Sequence, residues 1–330
     1  MLDKQSFLTS PLGAGNFAWK KMVIPTPFPV GPVNVYLLWS EPLTLVDAGP
    51  DTPESREALT SALAEVGLVP RDIEQVLLTH SHSDHAGLAG WFQEMGAEVF
   101  VHPLEAEKLS GLDFWPARHA YLRQMGVTSE LLTAAQSLAK RAATYRGCLE
   151  DYRPLQEGEV LCFNGFRLSA LFVPGHCGGH LAFYQEESGV LLAGDTLLKH
   201  ISPNPLAEVH PSRPGERSAS LGQFLATLDR LESMAFQLVL PGHGEALEAP
   251  GPRIAAIRCH HQKRLQRIRE MVQAGGSCTP FALAGQLYGR LNGWDVLLAV
   301  SEVSAHLDLL ADRGEVTETI DSGGHVRYAV

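Results

Sequence analysis

The chain reads as an α/β protein, a sandwich of mixed sheets with a helical insertion and a small helix-plus-hairpin tail. Three observations predict this. Over the first 110 residues, short apolar runs alternate with amphipathic stretches, the rhythm of layered α/β structure. From Val160 to Ala193, strand signals follow one another directly, which favours packed mixed sheets over a doubly wound sheet. Beyond Pro250, helical patterns end in a hairpin signal.

Val33–Trp39 and Leu43–Asp47 read as strands around the turn Ser40-Glu41-Pro42. Pro53–Val66 reads as a helix with Leu59, Leu63 and Val66 on one face. Val76–Thr79 is a short buried strand, Asp84–Met95 a helix and Glu98–His102 another strand. Residues 103–150 break the rhythm. Apart from the stretch Leu104–Leu109 they read as helices bearing Phe114, Trp115, Tyr121 and Tyr145. Strands return at Val160–Phe163, Phe166–Val173, Leu181–Tyr184 and Val190–Ala193. Ser218–Leu231 places Leu221, Phe224, Leu225, Leu228 and Leu231 at helical spacing, and Gln237–Leu240 is a strand. Pro250-Gly251-Pro252 is the best linker, dividing a body of residues 1–250 from a tail of residues 251–330. In the tail, a basic helix Arg253–Ala274 is followed by the N-cap pair Thr279-Pro280 and a helix Val296–Arg313. Glu315–Ile320 and His325–Val330 flank Asp321-Ser322-Gly323-Gly324, which completes the layout of a winged helix.

The most informative segment is His80-Ser81-His82-Ser83-Asp84-His85, four metal-ligand side chains in six residues just after a buried strand. Imidazoles and carboxylates packed this closely compete or repel unless they converge on a divalent cation. Three further residues share one local pattern, an apolar strand and then a ligand beside glycine. They are His176 after Pro174-Gly175, Asp195 after Ala193-Gly194, and His243 within Pro241-Gly242-His243-Gly244. Glycine permits close backbone approach at such a site, and each strand delivers its residue to the same sheet edge.

Taken in order, the H-x-H-x-D-H motif, the G-H, G-D and P-G-H-G turns and the earlier D-A-G turn at Asp47 resemble the metallo-β-lactamase superfamily. The likeness is to the hydrolase branch that includes glyoxalase II and the lactamase-like endoribonucleases, over roughly residues 20–250. The resemblance implies an αββα sandwich for the body, and the tail resembles the C-terminal domain of the endoribonuclease group. The resemblance implies that His80, His82 and His176 bind a first metal, that Asp84, His85 and His243 bind a second, and that Asp195 bridges them. Asp47 would orient the ligands from behind, cap the turn before Gly49, or do both. Imidazole and carboxylate without thiolate suit two Zn²⁺ ions, with Fe or Mn as alternatives. The full second set favours a dinuclear hydrolase over the persulfide oxygenase, which uses one iron. His82 stands where flavodiiron relatives carry glutamate, which counts against redox chemistry. Two such cations lower the pKa of a bridging water from ~16 to ~7, and the hydroxide attacks a carbonyl or phosphorus. Asp84 is the catalytic candidate, orienting the nucleophile and passing on its proton.

Substrate signals are weaker. Phe114, Trp115 and Tyr121 either line an apolar pocket or pack the insertion's own core. Lys199 and His200 follow Asp195, and Lys199 either binds a carboxylate or phosphate or is solvated. In the basic helix, Arg253, Arg258, Lys263, Arg264, Arg267 and Arg269 face only Glu270. They either hold phosphates of coenzyme A or RNA, or balance an acidic body. The net charge is −11. Residues 250–330 hold nine Lys/Arg against eight Asp/Glu and the remainder 17 against 29, a poor balance for nonspecific nucleic-acid binding. Val296–Arg313 carries Glu302, Asp308 and Asp312 against Arg313, the wrong sign for a phosphate groove. A role in dimerisation or in completing the site fits that helix better.

The five scattered cysteines argue against a disulfide framework, and Cys177 reads as a small partly buried thiol rather than a nucleophile. No apolar run reaches the ~20 residues of a membrane span. Met1-Leu2-Asp3-Lys4 lacks a secretory layout, so a cytoplasmic protein is expected and β-lactam hydrolysis is disfavoured. The expectation is a dinuclear hydrolase of a small-molecule thioester or ester, such as an acyl-CoA or glutathione conjugate. The alternatives are a single-strand endoribonuclease or phosphodiesterase, and a DNA-binding regulator with a vestigial metal site.

Overall fold

Two β-sheets pack face to face, each with helices on its outer side. The computed structural model describes residues 8–9, 17–210 and 213–330, so the Met1–Lys4 segment lies outside the described residues. The first sheet runs in chain order through β1 (Leu8–Thr9), β2 (Ala18–Ile24), β3 (Val33–Leu38), β4 (Thr44–Val46), β5 (Gln75–Leu77), β6 (Glu98–Val101) and β7 (Arg153–Pro154). Its first four strands are antiparallel, and β4 to β7 are parallel. Helices α1 (Pro53–Ala64), α2 (Ser83–Ala86), α3 (Ala89–Glu94), α4 (Pro103–Leu109), α5 (Trp115–Gln124) and α6 (Ser129–Ala143) lie between these strands.

The second sheet contains β8 (Val160–Phe163), β9 (Phe166–Phe172), β10 (Leu181–Gln185) and β11 (Val190–Gly194). They are followed by the ribbon β12 (Val209–His210) and β13 (Arg213–Arg217), by α7 (Ser220–Glu232) and by β14 (Leu238–Pro241). β14 pairs in parallel with β11, giving the order β14-β11-β10-β9-β8. The chain ends in α8 (Pro250–Gly275), α9 (Pro280–Tyr288), α10 (Trp294–Asp312) and the hairpin β15 (Thr317–Ile320) and β16 (Val326–Ala329).

Period-2 alternation builds the layers. Along β3, Val33, Val35 and Leu37 enter the core under α1 and α3, while Tyr36 and Leu38 face the other sheet. Along β10 and β11, Leu181, Phe183, Val190 and Leu192 face inward, while Ala182, Leu191 and Ala193 pack beneath Phe224 and Leu228 of α7. A helix–sheet–sheet–helix arrangement follows, and both sheets end at the edge where the ligand loops emerge.

A fourth core joins two parts that the sequence separates. Tyr121, Leu122, Met125 and Leu132 of the insertion pack with Leu265, Ile268, Leu283, Val303 and Tyr328 of the tail. α8 spans two cores, with Ile254 and Ile257 against the second sheet and Leu265 onward in this shared core.

Three local readings are corrected. Pro250-Gly251-Pro252 is no linker but the first turn of α8, where proline's missing N–H costs nothing. Leu104–Leu109 is helical, because Pro103 starts α4 and the His102 ring accepts from Leu104 N at 3.3 Å. The helix expected over Asp84–Met95 splits into α2 and α3, since Leu88 N donates to Gly49 O at 2.9 Å. Among the described residues, no helix is long and apolar enough to cross a membrane.

Candidate metal centre

All seven residues of the expected set meet at one sheet edge. His80, His82, Asp84 and His85 come from the loop after β5 and the short helix α2, His176 from the loop after β9, Asp195 from the end of β11 and His243 from the loop after β14. Three groups of ligand atoms converge within 4.8 Å: His80, His82 and His176; Asp84, His85 and His243; and, between them, His80, His85 and Asp195.

The first group turns three ring nitrogens on one point. His82 Nδ1 lies 2.9 Å from His80 Nε2 and 3.1 Å from His176 Nε2. Tetrahedral nitrogens at about 2.05 Å from zinc stand about 3.3 Å apart, so the spacing is close to that of a loaded site. In the second group His243 Nε2 lies 3.4 Å from Asp84 Oδ2. Asp195 reaches both groups, at 3.6 Å from His176, 3.5 Å from His85 and 3.8 Å from His243.

The back of four of the five rings is already committed. Nδ1 of His85 bonds Asp47 at 2.8 Å, Nδ1 of His176 donates to Asn204 O at 3.0 Å, and Nδ1 of His243 donates to Pro32 O at 2.8 Å. Nδ1 of His80 meets Thr79 Oγ1 at 2.9 Å. These contacts fix the tautomers that aim Nε2 inward. Yet His85 Nε2, His243 Nε2 and Asp195 Oδ1 are buried without any hydrogen bond. Buried polar atoms are rarely left so. Three orphaned donor atoms at the focus of the cluster fit cations there.

Electrostatics point the same way. Burial, and then its histidine neighbours, hold His80 well below the usual histidine range, and burial with His176 pushes His82 down to about 3. Both are therefore neutral and able to bind metal at neutral pH. Burial opposes the charge on His85 and His243. Asp195 and Asp47 nevertheless lift His85, and Asp84 and Asp195 lift His243. Burial likewise disfavours ionised Asp84 and Asp195, but the facing histidines hold both below the usual carboxylate range. The carboxylate-rich half of the site thus attracts positive charge.

Other residues prove integral without having been singled out in the sequence. His180 is fully buried and stacks on His80 with centroids 4.8 Å apart, and its Nε2 accepts from Asp195 N at 3.1 Å. Its signal was the second histidine in Gly175-His176-Cys177-Gly178-Gly179-His180. Buried Glu105 accepts from Ser81 and Gly179, inside two ligand loops. The Glu105-x-x-Lys108 spacing lay in the stretch excepted from the helical reading.

The residues read as substrate contacts are placed differently. Tyr121 is buried in the core shared with the tail, and Trp115 packs against that core. Phe114 is the half-buried residue before α5. Lys199 pairs with Glu245, and His200 is exposed. Cys177 is buried, and burial pushes its thiol pKa up, which removes it as a nucleophile.

Likeness to known proteins runs over most of the chain. The family profile described as the metallo-beta-lactamase superfamily matches residues 28–243. A Bacillus subtilis protein named probable metallo-hydrolase YqjP is 34% identical over 300 residues, covering 89% of this chain and 92% of its own length. The crystal structure of a metallo-beta-lactamase family protein of Thermus thermophilus superposes with a TM-score of 0.78 at 34% identity, covering 94% of this chain and 98% of that one. A beta-lactamase domain protein of Burkholderia ambifaria gives 0.79 at 26% identity, covering 98% and 94%. Both structural likenesses extend beyond residue 243 into the tail.

Proposed function

This chain belongs to the metallo-beta-lactamase superfamily and is a metal-dependent hydrolase; we propose that it works with two cations, most simply Zn²⁺, on a thioester or ester. The observation that carries the two-cation reading is the pair of ligand groups joined through Asp195, with orphaned buried atoms at their focus. His80, His82 and His176 would hold the first cation and Asp84, His85 and His243 the second. When bound, the cations supply an activated water and stabilise the developing oxyanion. Asp84 faces His243 within one ligand group only, whereas Asp195 reaches both groups and Asp47 lies behind His85. Asp84 is thus the group assigned to orient the attacking water and accept its proton.

The tail's three helices and hairpin support a winged-helix-like reading with a site-completing role. Asn204, whose carbonyl holds His176, donates through Nδ2 to Leu298 O of α10 at 3.0 Å. Ser301 Oγ of α10 accepts from Ala207 N at 2.6 Å. α10 is buried over most of its surface, which speaks against insertion into a DNA groove. Many cations of α8 are committed: Arg258 to Asp229 and Glu232, Arg264 to Glu302, Arg269 to Glu315. With a net charge of −11, this weighs against RNA and toward a small substrate.

The test is zinc-dependent thiol release from a panel of acyl-CoA and glutathione thioesters, with Asp84→Ala as the blank. Turnover in the parent and none in the variant supports the reading. No turnover from protein loaded with two metals rejects thioesters and turns the search to phosphodiesters.

A further inference from the structure

Under the first ligand group lies a partly buried ionic cluster, built around a fully buried acid, that metal ligation itself does not use. Glu105 of α4 is fully buried. Its Oε2 accepts from Ser81 N at 3.0 Å and from Ser81 Oγ at 2.5 Å. Its Oε1 accepts from Gly179 N at 2.9 Å and from Lys108 Nζ at 2.7 Å. Lys108 also pairs with Glu208, whose Oε2 accepts from Gly178 N at 2.7 Å.

Ser81 separates His80 from His82, and Gly178-Gly179 lies between His176 and His180. We propose that Glu105, Lys108 and Glu208 form a positioning clamp that fixes the His80–His82 loop against the His176 loop and so sets the geometry and affinity of the first metal site. This rests on the reading of His80, His82 and His176 as that site's ligands.

Two arguments support a functional rather than a merely structural clamp. The first is fit. A Cβ on Gly179 would stand 2.7 Å from Glu105 Cγ, and one on Gly178 would stand 2.9 Å from Glu208 Oε2. The glycine pair therefore lets the backbone press onto the two acids, so clamp and loop are matched to each other. The second is charge. Burying a carboxylate such as Glu105, even paired, is often no more stabilising than apolar packing of the same volume, so fold stability alone explains it poorly. The cluster sets two carboxylates against the Lys108 ammonium, with the Arg118 guanidinium also acting on Glu208, beside three imidazoles. Within it the fully buried Glu105 carboxylate reaches the loop between His80 and His82 through Ser81, and its negative charge favours a dication in the group with no terminal carboxylate of its own.

The test is Co²⁺ titration of the metal-free full-length parent, Glu105→Ala, Glu105→Gln and Glu208→Gln, read by the visible d–d spectrum and paired with thermal unfolding. Two equivalents bound by the parent uphold the underlying two-cation reading. The clamp predicts that Glu105→Ala weakens one site about 10–100-fold and alters its spectrum, with the other site unchanged within about threefold. Glu105→Gln, which keeps an acceptor but loses the charge, should fall between. Glu208→Gln lies nearer the surface and carries the same prediction if Glu105→Ala fails to fold. Variants that unfold earlier yet bind both equivalents with parental affinity and spectrum overturn the clamp while leaving the two-cation reading intact. A parent that binds no Co²⁺ overturns both.

Discussion

Asp47 Oδ2 lies 2.8 Å from His85 Nδ1, and the same carboxylate takes Thr79 N at 2.8 Å through Oδ1. Asp47 sits at φ 62°, in left-handed backbone that aspartate tolerates better than alanine does. Orientation of His85 and backbone tolerance can be separated by substitution. Asp47→Ala and Asp47→Gly should both weaken metal binding about 10–100-fold in chelator competition, because both release the His85 ring. Only the alanine variant should add about 1 kcal/mol of backbone strain to the stability loss. Parental metal affinity in both would show that Asp47 serves the turn alone.

Asp84→Ala is expected to lower kcat by about 10²-fold or more, while the first ligand group, which lacks Asp84, still holds a metal. Metal analysis alongside steady-state kinetics checks both halves. Retained turnover in that variant would sink the proton-acceptor role.

Gly242→Ala tests how tightly the centre is packed. A Cβ there would stand 2.5 Å from Asp195 Oδ1 and 2.6 Å from His85 Cε1, so the Asp195 carboxylate and the His85 ring must move apart. Circular dichroism should show the fold retained, at a cost of about 1–3 kcal/mol, while dialysed protein loses bound metal. Full metal retention would contradict the geometry.

The buried pair His261 and His306 gives the tail a defined pH response. His261 Nδ1 faces His306 Nε2 at 3.2 Å, His261 Nε2 meets Ser202 Oγ at 3.2 Å, and His306 Nδ1 donates to Glu302 O at 2.7 Å. Burial, then the neighbouring His306, pushes His261 down to about 3, and burial pushes His306 to about 4. Below the ordinary value near 6.5, the unfolded chain takes up protons that the folded chain refuses. Stability is therefore lost as pH falls from 6.5 toward 4, by about 2 kcal/mol per histidine at pH 5. Urea unfolding of metal-free parent and His306→Gln at pH 7.5 and pH 5 isolates one contribution. The pH-induced loss should be about 2 kcal/mol smaller in the variant, and equal losses would contradict the assignment.

The site was legible because its residues are chemically conspicuous. Ligand-type side chains beside glycine at strand ends cost stability without a purpose, and strand periodicity placed them at one edge. What stayed hidden depends on distant packing. Tyr121 carries no sign of the tail residues Leu265 and Val303 that share its core. Leu88 gives no hint that its N–H prefers Gly49 O to the carbonyl one turn back in its own helix. Pro250 reads as a linker until Ile254 and Ile257 find the second sheet and make it a helix start. Glu105 draws no notice in the sequence, because neither Ser81 nor Gly179 announces a buried acceptor between them.

The central claim is that two cations occupy two ligand groups in one chain. Isothermal titration of Zn²⁺ into metal-free protein, parent beside His243→Ala, tests it most directly. Two equivalents in the parent and one in the variant are the predicted result; one equivalent in both would contradict the account.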